Sequence, residues 1–526
     1  MSVPTTNTND FCIGARYVDK TNIINHFKGN LEEIRLFDDA ISVDELRFIM
    51  NQEIAKNGTL MEGVIIPNSI TKNDLNGRTW STLQAYFNMN TYIGTHLNDV
   101  SGNGHRGALL VPENFNIKEQ TAPLPYVAST DGNWSTVGTW ENGSTQYLPY
   151  DKKTINGVDT EIAWNIVETQ SVLQSSSNQV LLGLINSSET LSMVNDTKLE
   201  ISHYLKIDGK IDLVGKSQLV QTLNSDLDKE SAGTIERDQQ GQSSVHNYNY
   251  WSLPVGNPNA TSNNNDYSLE TVLKDGTTDT PQDITWIDGY DGMAGSPISL
   301  SRFWLYKYDS NDNSYYNWQA FNEPDGLKPG QGFSMKGSNA ATATQNYTFV
   351  GKPFNGSITH TVGADQSILI GNPYASALNA TTFITDNSTS ITGTLYFWEH
   401  FSTNNTHITV DYQGGYAMRN LTGGIAPVSP TELSGLGSST KEPNIFIPVG
   451  QGFFVAGSAT GGTITFNNNQ RLFIKEDNAN SNTLFRTEST TANNEEDTFE
   501  APNHTTLRLG VTSVSGHKRQ LLLGGS

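Results

Sequence analysis

The hexapeptide PGQGFS at residues 329–334 recurs as VGQGFF at residues 449–454. Two more motifs recur in the same order: WSLPVGNP at 251–258 with ILIGNP at 368–373, and FWLY at 303–306 with YFWE at 396–399. Three matches in one order indicate an internal duplication, and the spacing between them varies because loops vary more than strands do. Short aromatic and apolar runs bounded by Gly, Pro and Asn predict that each copy is a β-sandwich.

Residues 128–240, just before the duplication, carry apolar bursts of a few residues separated by Asn, Ser and Gly turns. One burst lies near Leu191 and another near Ile211, which suggests a repeat of about twenty residues. The pattern predicts a parallel β-solenoid of about two to three coils, capped by a neighbouring module. An antiparallel sandwich of short strands would give the same pattern, so both architectures stay open.

The N-terminal segment combines a strand pattern with a helix signal. Alternating residue types over 29–36 predict a strand, and SVDE at 42–45 has the capping-box spacing that predicts the start of a helix. With IGA at 13–15, FKGNLEEIRLF at 27–37 and AISVDEL at 40–46, this segment resembles the closing strands of a laminin-G-like, concanavalin-type jelly roll.

The resemblance covers only part of such a domain, so the earlier strands are expected either upstream of Met1 or within residues 57–127. The second alternative is supported by LQAYF at 83–87 and NDVSGNGHRG at 98–107, which resemble the opening strand and a loop of the same fold. The resemblance also implies that a calcium ion can be held at a loop edge.

The predicted fold class of the whole chain is all-β and multidomain. A polar, acidic stretch follows the duplication, and the residues after it predict a new β-hairpin. The predicted segments are the C-terminal part of a jelly roll (1–56), a β-rich connection or the remainder of that jelly roll (57–127), a short β-solenoid-like module (128–240), two β-sandwich copies (241–360 and 361–475), an acidic linker (476–503) and the truncated start of a further β module (504–526).

Composition limits the classes of partner. The 526 residues carry 32 Lys+Arg against 54 Asp+Glu, a net charge of −22, which disfavours nucleic acid and anionic membrane surfaces as partners. No apolar run is long enough to cross a bilayer, so we expect no membrane insertion. The single cysteine, Cys12, excludes a disulfide framework and a cysteine-rich zinc site.

Candidate metal ligands are oxygen atoms in loops. No histidines occur in an HExxH motif or at helical spacing, which argues against a zinc hydrolase. Asp and Asn residues in the loops at 309–313, 288–291 and 98–99 offer the ligands that calcium prefers. Such loops are more often metal-free turns, and Asp99, in the DVSGNG loop, is the candidate calcium ligand.

Aromatic side chains are the candidate platform for sugars, whose rings stack on them while hydroxyl groups pair with polar side chains. Trp304 and Trp398 occupy matched motifs of the two copies, so we predict that they pack in the core. Trp286, Trp318 and Tyr412 lie outside the matched motifs, in polar loops, and are the predicted exposed contacts for carbohydrate.

Catalytic constellations are not apparent. The adjacent carboxylates Glu32/Glu33, Asp38/Asp39 and Glu495/Glu496 are predicted to be solvated surface; on a strand, neighbours such as Glu32 and Glu33 point to opposite faces and cannot converge on one substrate. No GxSxG elbow is present. We therefore predict that the chain is not an enzyme.

The stretches GKIDLVGKSQLVQTLNSD at 209–226 and IERDQQGQSSVHNYNYWSLPVGNP at 235–258, with the duplication, resemble secreted and surface proteins of Bacteroidota exported by the type IX secretion system. The resemblance implies an extracellular or outer-surface location. The predicted function is a non-catalytic, adhesin-like modular scaffold that binds polysaccharide, cell-surface glycan or other surface proteins. The alternative is the carbohydrate-binding portion of a polysaccharide-degrading glycoside hydrolase whose catalytic part is absent from this chain.

Overall fold

The computed structural model confirms an all-β chain, since strands account for 43% of its residues and helices for 8%. None of the helices in the described ranges is long and apolar enough to cross a bilayer. The predicted linker, apart from Glu476, lies outside the described residues. The structure describes residues 11–19, 22–67, 70, 75, 77–90, 92–110, 124–144, 147–309, 312–401, 405–431, 433–435, 437–476, 506–512 and 518–524.

Contacts divide the chain into two compact units. The N-terminal unit comprises Met1–Tyr126 and Trp164–Ile166, and the C-terminal unit comprises Val127–Ala163 and Val167–Ser526. The segments compared with a jelly roll fall in the first unit. The solenoid-like segment and both copies of the duplication fall together in the second.

In its described residues, the N-terminal unit contains short antiparallel sheets of two or three strands and one α-helix. Its elements are β1 (Arg16–Asp19), β2 (Asn22–Ile24), β3 (Ile34–Phe37), α1 (Val43–Ile49), β4 (Ile54–Asn57), β5 (Leu60–Gly63), β6 (Leu83–Phe87), β7 (Tyr92–Ile93), β8 (His96–Asn98) and β9 (Arg106–Ala108). Helix α1 starts at the predicted capping box, where Ser42 Oγ accepts from the Glu45 amide at 3.2 Å and the Glu45 carboxylate accepts from the Ser42 amide at 2.6 Å. Strand β3 pairs with β6, so the two segments compared with a jelly roll contribute to one sheet.

Residues 126–242 form a β-solenoid of about four turns. The strands of this segment are β10 (Tyr126–Ala128), β11 (Gly132–Asn133), β12 (Lys152–Ile155), β13 (Val158–Glu161), β14 (Ile166–Thr169), β15 (Leu173–Ser175), β16 (Gln179–Asn186), β17 (Thr190–Met193), β18 (Lys198–Ile207), β19 (Lys210–Leu213), β20 (Gln218–Gln221), β21 (Asp226–Leu227) and β22 (Thr234–Gln242). Strands β12 and β13 form a separate antiparallel hairpin between β11 and β14, and the other strands build the coils. Two sheets result, one ordered β10-β14-β16-β18-β20 and the other containing β11-β15-β17-β19-β22. Strands β15, β17, β19 and β22 run parallel, as do β16, β18 and β20, which decides in favour of the solenoid over the antiparallel sandwich.

Inward side chains stack from coil to coil. Leu173 pairs with Leu191, Leu191 with Ile211 and Ile211 with Ile235, and all four are fully buried. The rungs predicted at Leu191 and Ile211 are therefore confirmed. The sequence indicates fewer coils than the structure has because the length of chain between stacked residues changes from coil to coil, which blurs the repeat.

The first copy of the duplication, here called the first module, is a β structure with one helical turn. Its elements are β23 (Asn249–Trp251), β24 (Val255–Gly256), α2 (Leu269–Val272), β25 (Leu273–Asp275), β26 (Gln282–Asp283), β27 (Thr285–Ile287), β28 (Ser299–Ser301), β29 (Tyr306–Tyr308), β30 (Trp318–Ala320), β31 (Phe333–Met335) and β32 (Thr344–Pro353). Four antiparallel strands form a sheet in the order β23-β31-β29-β30.

The second module repeats that order of strands. Its elements are β33 (Ile358–Val362), β34 (Ser367–Gly371), β35 (Ala377–Asn379), α3 (Ala380–Asp386), β36 (Ile391–His400), β37 (Gly414–Asn420), β38 (Gly423–Ile425), β39 (Phe446–Ile447), β40 (Gly452–Gly457), β41 (Gly462–Phe466) and β42 (Arg471–Leu472). Its main sheet runs β34-β40-β36-β37-β38, and the first four strands match β23-β31-β29-β30 in their order along the chain and in their pairing. The duplication is thus a repeat of topology. After it, β43 (Thr506–Thr512) and β44 (Lys518–Gly524) form the predicted antiparallel hairpin.

Strand register corrects the residue-by-residue alignment of the two copies. Tyr306 and Tyr396 each pair with the residue that follows the phenylalanine of the shared GQGF motif, so these tyrosines correspond. Trp304 precedes Tyr306 in a 3-10 turn, whereas Trp398 follows Tyr396 within β36. The two tryptophans do not occupy equivalent positions, because the similar FW dipeptides lie at different places in their strands.

Both modules cover edges of the solenoid sheets. Strand β22 pairs antiparallel with β32 of the first module over eight residue pairs. At the other sheet, Gln218 Oε1 accepts from the Ala377 amide at 3.0 Å, and Gln218 Nε2 donates to the Ile474 carbonyl at 2.7 Å. Because an open strand edge invites pairing with other chains, the cap expected for the solenoid is supplied by the duplicated pair.

Buried cations tie the solenoid to the end of the second module. Arg237 Nη2 donates to Glu476 Oε2 at 2.8 Å, and both side chains are almost fully buried. Glu476 Oε1 also accepts from the Val449 amide at 2.9 Å, and Arg471 Nη2 donates to the Leu219 carbonyl at 2.8 Å. Residues distant in sequence therefore close the C-terminal unit.

The two modules share an aromatic core and exchange backbone hydrogen bonds. Tyr250 of the first module and Tyr416 of the second bring their hydroxyl oxygens to 3.0 Å. The Gly332 amide of the first GQG motif donates to the second module, and the carbonyl of Gly450 in the second GQG motif accepts from the first, both at 3.0 Å. The core residues are Tyr250, Tyr308 and Leu369, with Trp318, Trp398, Tyr416 and Phe454 packed against them.

Candidate functional site

A buried lysine lies where the two modules meet. Lys336 directly follows β31 and is 3% exposed, although lysine is rarely buried. Its Nζ lies 3.6 Å from the ring centroid of Trp304, 4.3 Å from that of Tyr248 and 5.5 Å from that of Tyr412, and it donates to Tyr412 Oη at 2.7 Å. We call Lys336, these three rings and His407 the Lys336 centre.

Both modules build the Lys336 centre. Tyr248 precedes β23 and Lys336 follows β31, and because these strands are antiparallel neighbours the two residues lie side by side at one end of the sheet. Trp304 ends the 3-10 turn before β29. Tyr412 and His407 come from the connection between β36 and β37 of the second module. The centre therefore exists only when the two copies are packed together.

The environment of Lys336 sets its charge. Burial lowers the pKa of Lys336 to about 7, an effect that the Asp291 carboxylate partly offsets. The electron-rich faces of the surrounding rings favour the charged form. The amine is thus shared between both protonation states near neutral pH, and its enclosure by rings and hydrogen bonds suits packing between modules rather than attack on a substrate.

His246 and Asp291 lie next to His407 and extend the Lys336 centre. His407 stacks on Trp304 with ring centroids 4.8 Å apart, its Nδ1 lies 3.1 Å from Lys336 Nζ, and its Nε2 lies 2.7 Å from Asp291 Oδ1. The ring centroid of His246 lies 4.6 Å from that of His407. In the part of the chain that the structure describes, His246, Asp291 and His407 are the group of three potential ligands from His, Cys, Asp and Glu whose ligand atoms all lie within 4.8 Å of one another.

A further layer of buried titratable groups lies on β36. His400 Nε2 faces the Tyr248 amide and Trp398 Nε1, both donors at 3.1 Å. Burial, together with the charge of Lys336, lowers the pKa of His400 to about 3, so this ring is neutral at pH 7. Burial raises the pKa of the adjacent Glu399 to about 7. The strand therefore holds an imidazole and a carboxyl group whose neutral forms are favoured.

The prediction that Tyr412 is an exposed contact for sugar is wrong, because the structure leaves Tyr412 only 1% exposed. Its hydroxyl oxygen accepts from Lys336 and donates to the His246 carbonyl at 2.7 Å. The polar sequence around Tyr412 suggests an exposed loop, but Lys336 and Tyr248 of the first module and His400 of the second cover this side chain.

The predicted contacts Trp318 and Trp286 are both half-buried. Trp318 packs in the shared aromatic core, with its ring centroid 5.1 Å from that of Tyr308. Trp286 lies in β27. Of the tryptophans predicted to pack, Trp304 is buried in the Lys336 centre and Trp398 is half-buried against the aromatic core.

The candidate calcium ligand Asp99 organises its own loop. Its Oδ1 accepts from the Tyr86 amide at 3.0 Å and the Ser101 amide at 2.9 Å, and its Oδ2 accepts from the His105 amide at 3.0 Å. Burial opposes ionisation of Asp99, but these hydrogen bonds outweigh it and lower the pKa. Both carboxylate oxygens thus have backbone donors, and calcium binding here stays a prediction.

The prediction that Glu33 is a solvated surface group is wrong. Its carboxylate pairs with Arg35 and accepts from Tyr86 Oη at 2.7 Å, and its side chain is 8% exposed. The neighbouring Glu32 has its pKa raised to about 7, first by burial and then by the charges of Glu33 and Glu53. Glu33 has a φ of 52°, a left-handed conformation that interrupts the strand alternation on which the prediction relied.

Sequence reasoning missed the Lys336 centre. Asp291 was noted in an oxygen-rich loop, but nothing connected it with His246 or His407. A usable signal was the comparison of the copies, since β31 and β40 correspond and Lys336 falls where the second copy has Ala456. Because the second copy has alanine at the position that corresponds to Lys336, this lysine is not required by the fold that the two copies share.

Comparisons with known proteins address the C-terminal unit. No curated protein and no solved structure matches the chain. One protein family, described as a domain of unknown function (DUF8693), has a profile that matches residues 126–524, which include the solenoid and both modules. Because that match covers most of its length, the chain belongs to the DUF8693 family.

Proposed function

We propose that the chain is a non-catalytic scaffold of adhesin type. The observation that carries this proposal is the joint between solenoid and modules, in which eight residue pairs link β22 to β32 and a buried ion pair joins Arg237 to Glu476. A body closed in this way holds its surface loops in fixed positions, which suits the presentation of a binding surface. Because rings and hydrogen bonds enclose the Nζ of Lys336, this amine also suits a packing role and not a catalytic one.

The proposed location is extracellular or on the outer cell surface, with export by a type IX route. The resemblance to Bacteroidota surface proteins supports it, and the acidic composition with only 16% charged residues is compatible with it. Such a composition keeps a protein soluble and away from anionic surfaces.

The proposed ligand is a carbohydrate, and the exposed tyrosines of the first module are its candidate contact. Tyr315 and the 92% exposed Tyr316 lie in a 3-10 turn next to β30, with ring centroids 6.4 Å apart. Solvent-exposed rings on a fixed scaffold can stack against sugars. This surface replaces Tyr412 as the place to look for a glycan.

A glycan array with the intact chain tests this proposal. We expect binding to at least one polysaccharide class and a loss of signal of about tenfold or more when Tyr315 and Tyr316 are both changed to alanine, since stacking carries the contact. Tyr147→Ala, which removes another exposed ring, is the matched control and should leave the signal unchanged. An array without signal would contradict the carbohydrate ligand.

The non-catalytic part has a separate test. Incubation with a panel of polysaccharides should release no reducing ends. Reproducible release that one carboxylate substitution abolishes would contradict the scaffold proposal and would support the alternative, a portion of a glycoside hydrolase.

A further inference from the structure

We propose that His246, Asp291 and His407 form a binding site for a divalent first-row transition metal ion, such as Zn²⁺. The three residues come from three loops: His246 lies between β22 and β23, Asp291 between β27 and β28, and His407 between β36 and β37. An ion held there would join the first module to the second. No feature of the proposed scaffold function requires such an ion.

The geometry is close to that of a metal site. A tetrahedral zinc ion with bonds of about 2.0–2.1 Å holds its ligands about 3.4 Å apart. Here all three ligand atoms lie within 4.8 Å of one another, and His407 Nε2 is in hydrogen-bond contact with Asp291 Oδ1 at 2.7 Å. An ion between these two atoms would replace that contact and move them apart to the tetrahedral spacing. The Asp291 side chain is largely exposed, so it can rotate to make this adjustment without disturbing the core.

The ligand types select the metal. Two imidazoles and one carboxylate suit zinc, copper, nickel or iron, whereas calcium and magnesium require a shell of oxygen atoms. The site is therefore chemically distinct from the calcium site predicted at Asp99. Three protein ligands also leave a fourth coordination position for water or for a group from another molecule.

Surrounding residues hold the imidazoles in place. Trp304 stacks on His407 at an interplanar angle of 16°, which fixes the plane of that ring. Because His407 Nδ1 faces Lys336 Nζ, Nε2 is the nitrogen directed at Asp291. His246 Nδ1 is buried and has no hydrogen-bond partner among the described residues, although buried polar atoms usually have one. A metal ion in reach of these imidazoles would account for this orphaned group.

Zinc titration of the intact, tag-free chain after chelator treatment tests the site. We expect calorimetry to give one zinc ion per chain with a dissociation constant on the order of 1 μM or tighter, and cobalt to give the absorption of a four-coordinate complex. His407→Ala, His246→Ala and Asp291→Asn should each weaken zinc binding by about tenfold or more, since even indirect supports of a metal site are worth about that much. The control His105→Ala removes an exposed histidine and should bind as the unchanged chain does.

Thermal unfolding separates loss of the site from loss of the fold. Metal-free Asp291→Asn should melt with the metal-free parent, whereas His246→Ala and His407→Ala lose ring packing and should melt somewhat lower. Only the parent and His105→Ala should gain melting temperature on adding zinc. Asp291→Asn is the most informative variant, because its exposed loop position leaves packing intact. The proposal is overturned if no zinc binds, if calcium displaces zinc at equal concentration, or if His407→Ala and Asp291→Asn bind zinc as the parent does. These outcomes do not depend on the glycan array.

Discussion

His400 is a base that the fold keeps neutral. Its ring is buried near Lys336, and burial lowers its pKa to about 3 in the folded chain from an ordinary value of 6.5. Between these pH values the unfolded chain binds one more proton than the folded chain at this position. The stability contributed by a neutral His400 is therefore lost progressively as the pH falls below about 6.5.

Replacing His400 should reduce the sensitivity of the C-terminal unit to acid. In His400→Gln, the loss of unfolding free energy between pH 7 and pH 4 should be smaller than in the parent by about 3 kcal/mol. Urea unfolding at the two pH values, followed by tryptophan fluorescence, measures the difference. His105→Gln, at an exposed position, is the control and should keep the full acid response. Equal acid responses for both variants would contradict the pKa assigned to His400.

The burial of single aromatic side chains was harder to predict from the sequence than the positions of strands. Aromatic packing was correctly expected for Trp304, but Tyr412 was placed on the surface because its neighbours in sequence are polar. Its burial depends on Lys336, which belongs to the other module. Contacts of this kind arise from tertiary packing, and local composition carries no record of them.

The solenoid ladder shows how one element depends on its neighbours. Ile211 pairs with Leu191 on one side and with Ile235 on the other, and its side chain is fully buried. Ile211→Ala should lower the free energy of unfolding of the C-terminal unit by about 2–5 kcal/mol, because a cavity would open between coils. Chemical denaturation followed by circular dichroism measures this loss.

Leu223→Ala is the matched control for the ladder. Leu223 belongs to the same solenoid but is 66% exposed, so its replacement should change stability by no more than about 0.5 kcal/mol. Similar losses for both variants would mean that the inward ladder does not carry the stability of the coils.

Elements with a strong local signal were the ones predicted correctly. The capping box at Ser42 and Glu45 and the rungs at Leu191 and Ile211 are patterns in which neighbouring residues determine the structure. The left-handed conformation of Glu33 and the register of Trp398 were not predictable in this way. A shift of one residue along a strand turns each following side chain to the opposite face of the sheet. A one-dimensional pattern does not reveal such a shift.

Within the C-terminal unit, the ion pair between Arg237 and Glu476 joins the solenoid to the residue that follows the second module. Glu476→Gln keeps the shape of the side chain but leaves the buried Arg237 without its counter-charge. We expect the C-terminal unit to lose about 3–5 kcal/mol of stability, because breaking one partner of a buried pair strands the other charge. Thermal and urea unfolding measure the loss.

The adjacent pair between Lys210 and Glu236 supplies the control. These side chains are partly exposed and their charged atoms are 3.1 Å apart, so Glu236→Gln should cost about 1 kcal/mol or less. If both substitutions cost the same, the closure by Arg237 and Glu476 contributes no more than a surface pair.

Sequence reasoning divided the C-terminal unit into a solenoid and two sandwiches but did not show that they form one body. The pairing of β22 with β32 and the contacts of Gln218 connect segments that are far apart in the chain. Each such contact needs two strand edges that fit each other, and the sequence pattern of a strand does not predict which distant strand it pairs with. The duplication was visible, and the packing of its copies was not.

The strand pairing between β22 and β32 gives the C-terminal unit a connection that does not rely on an unbroken backbone in every surface loop. A protease that nicks an accessible loop, such as the one carrying Tyr316, breaks one peptide bond but leaves the paired strands and the buried cations in place. The two fragments would stay associated and elute together.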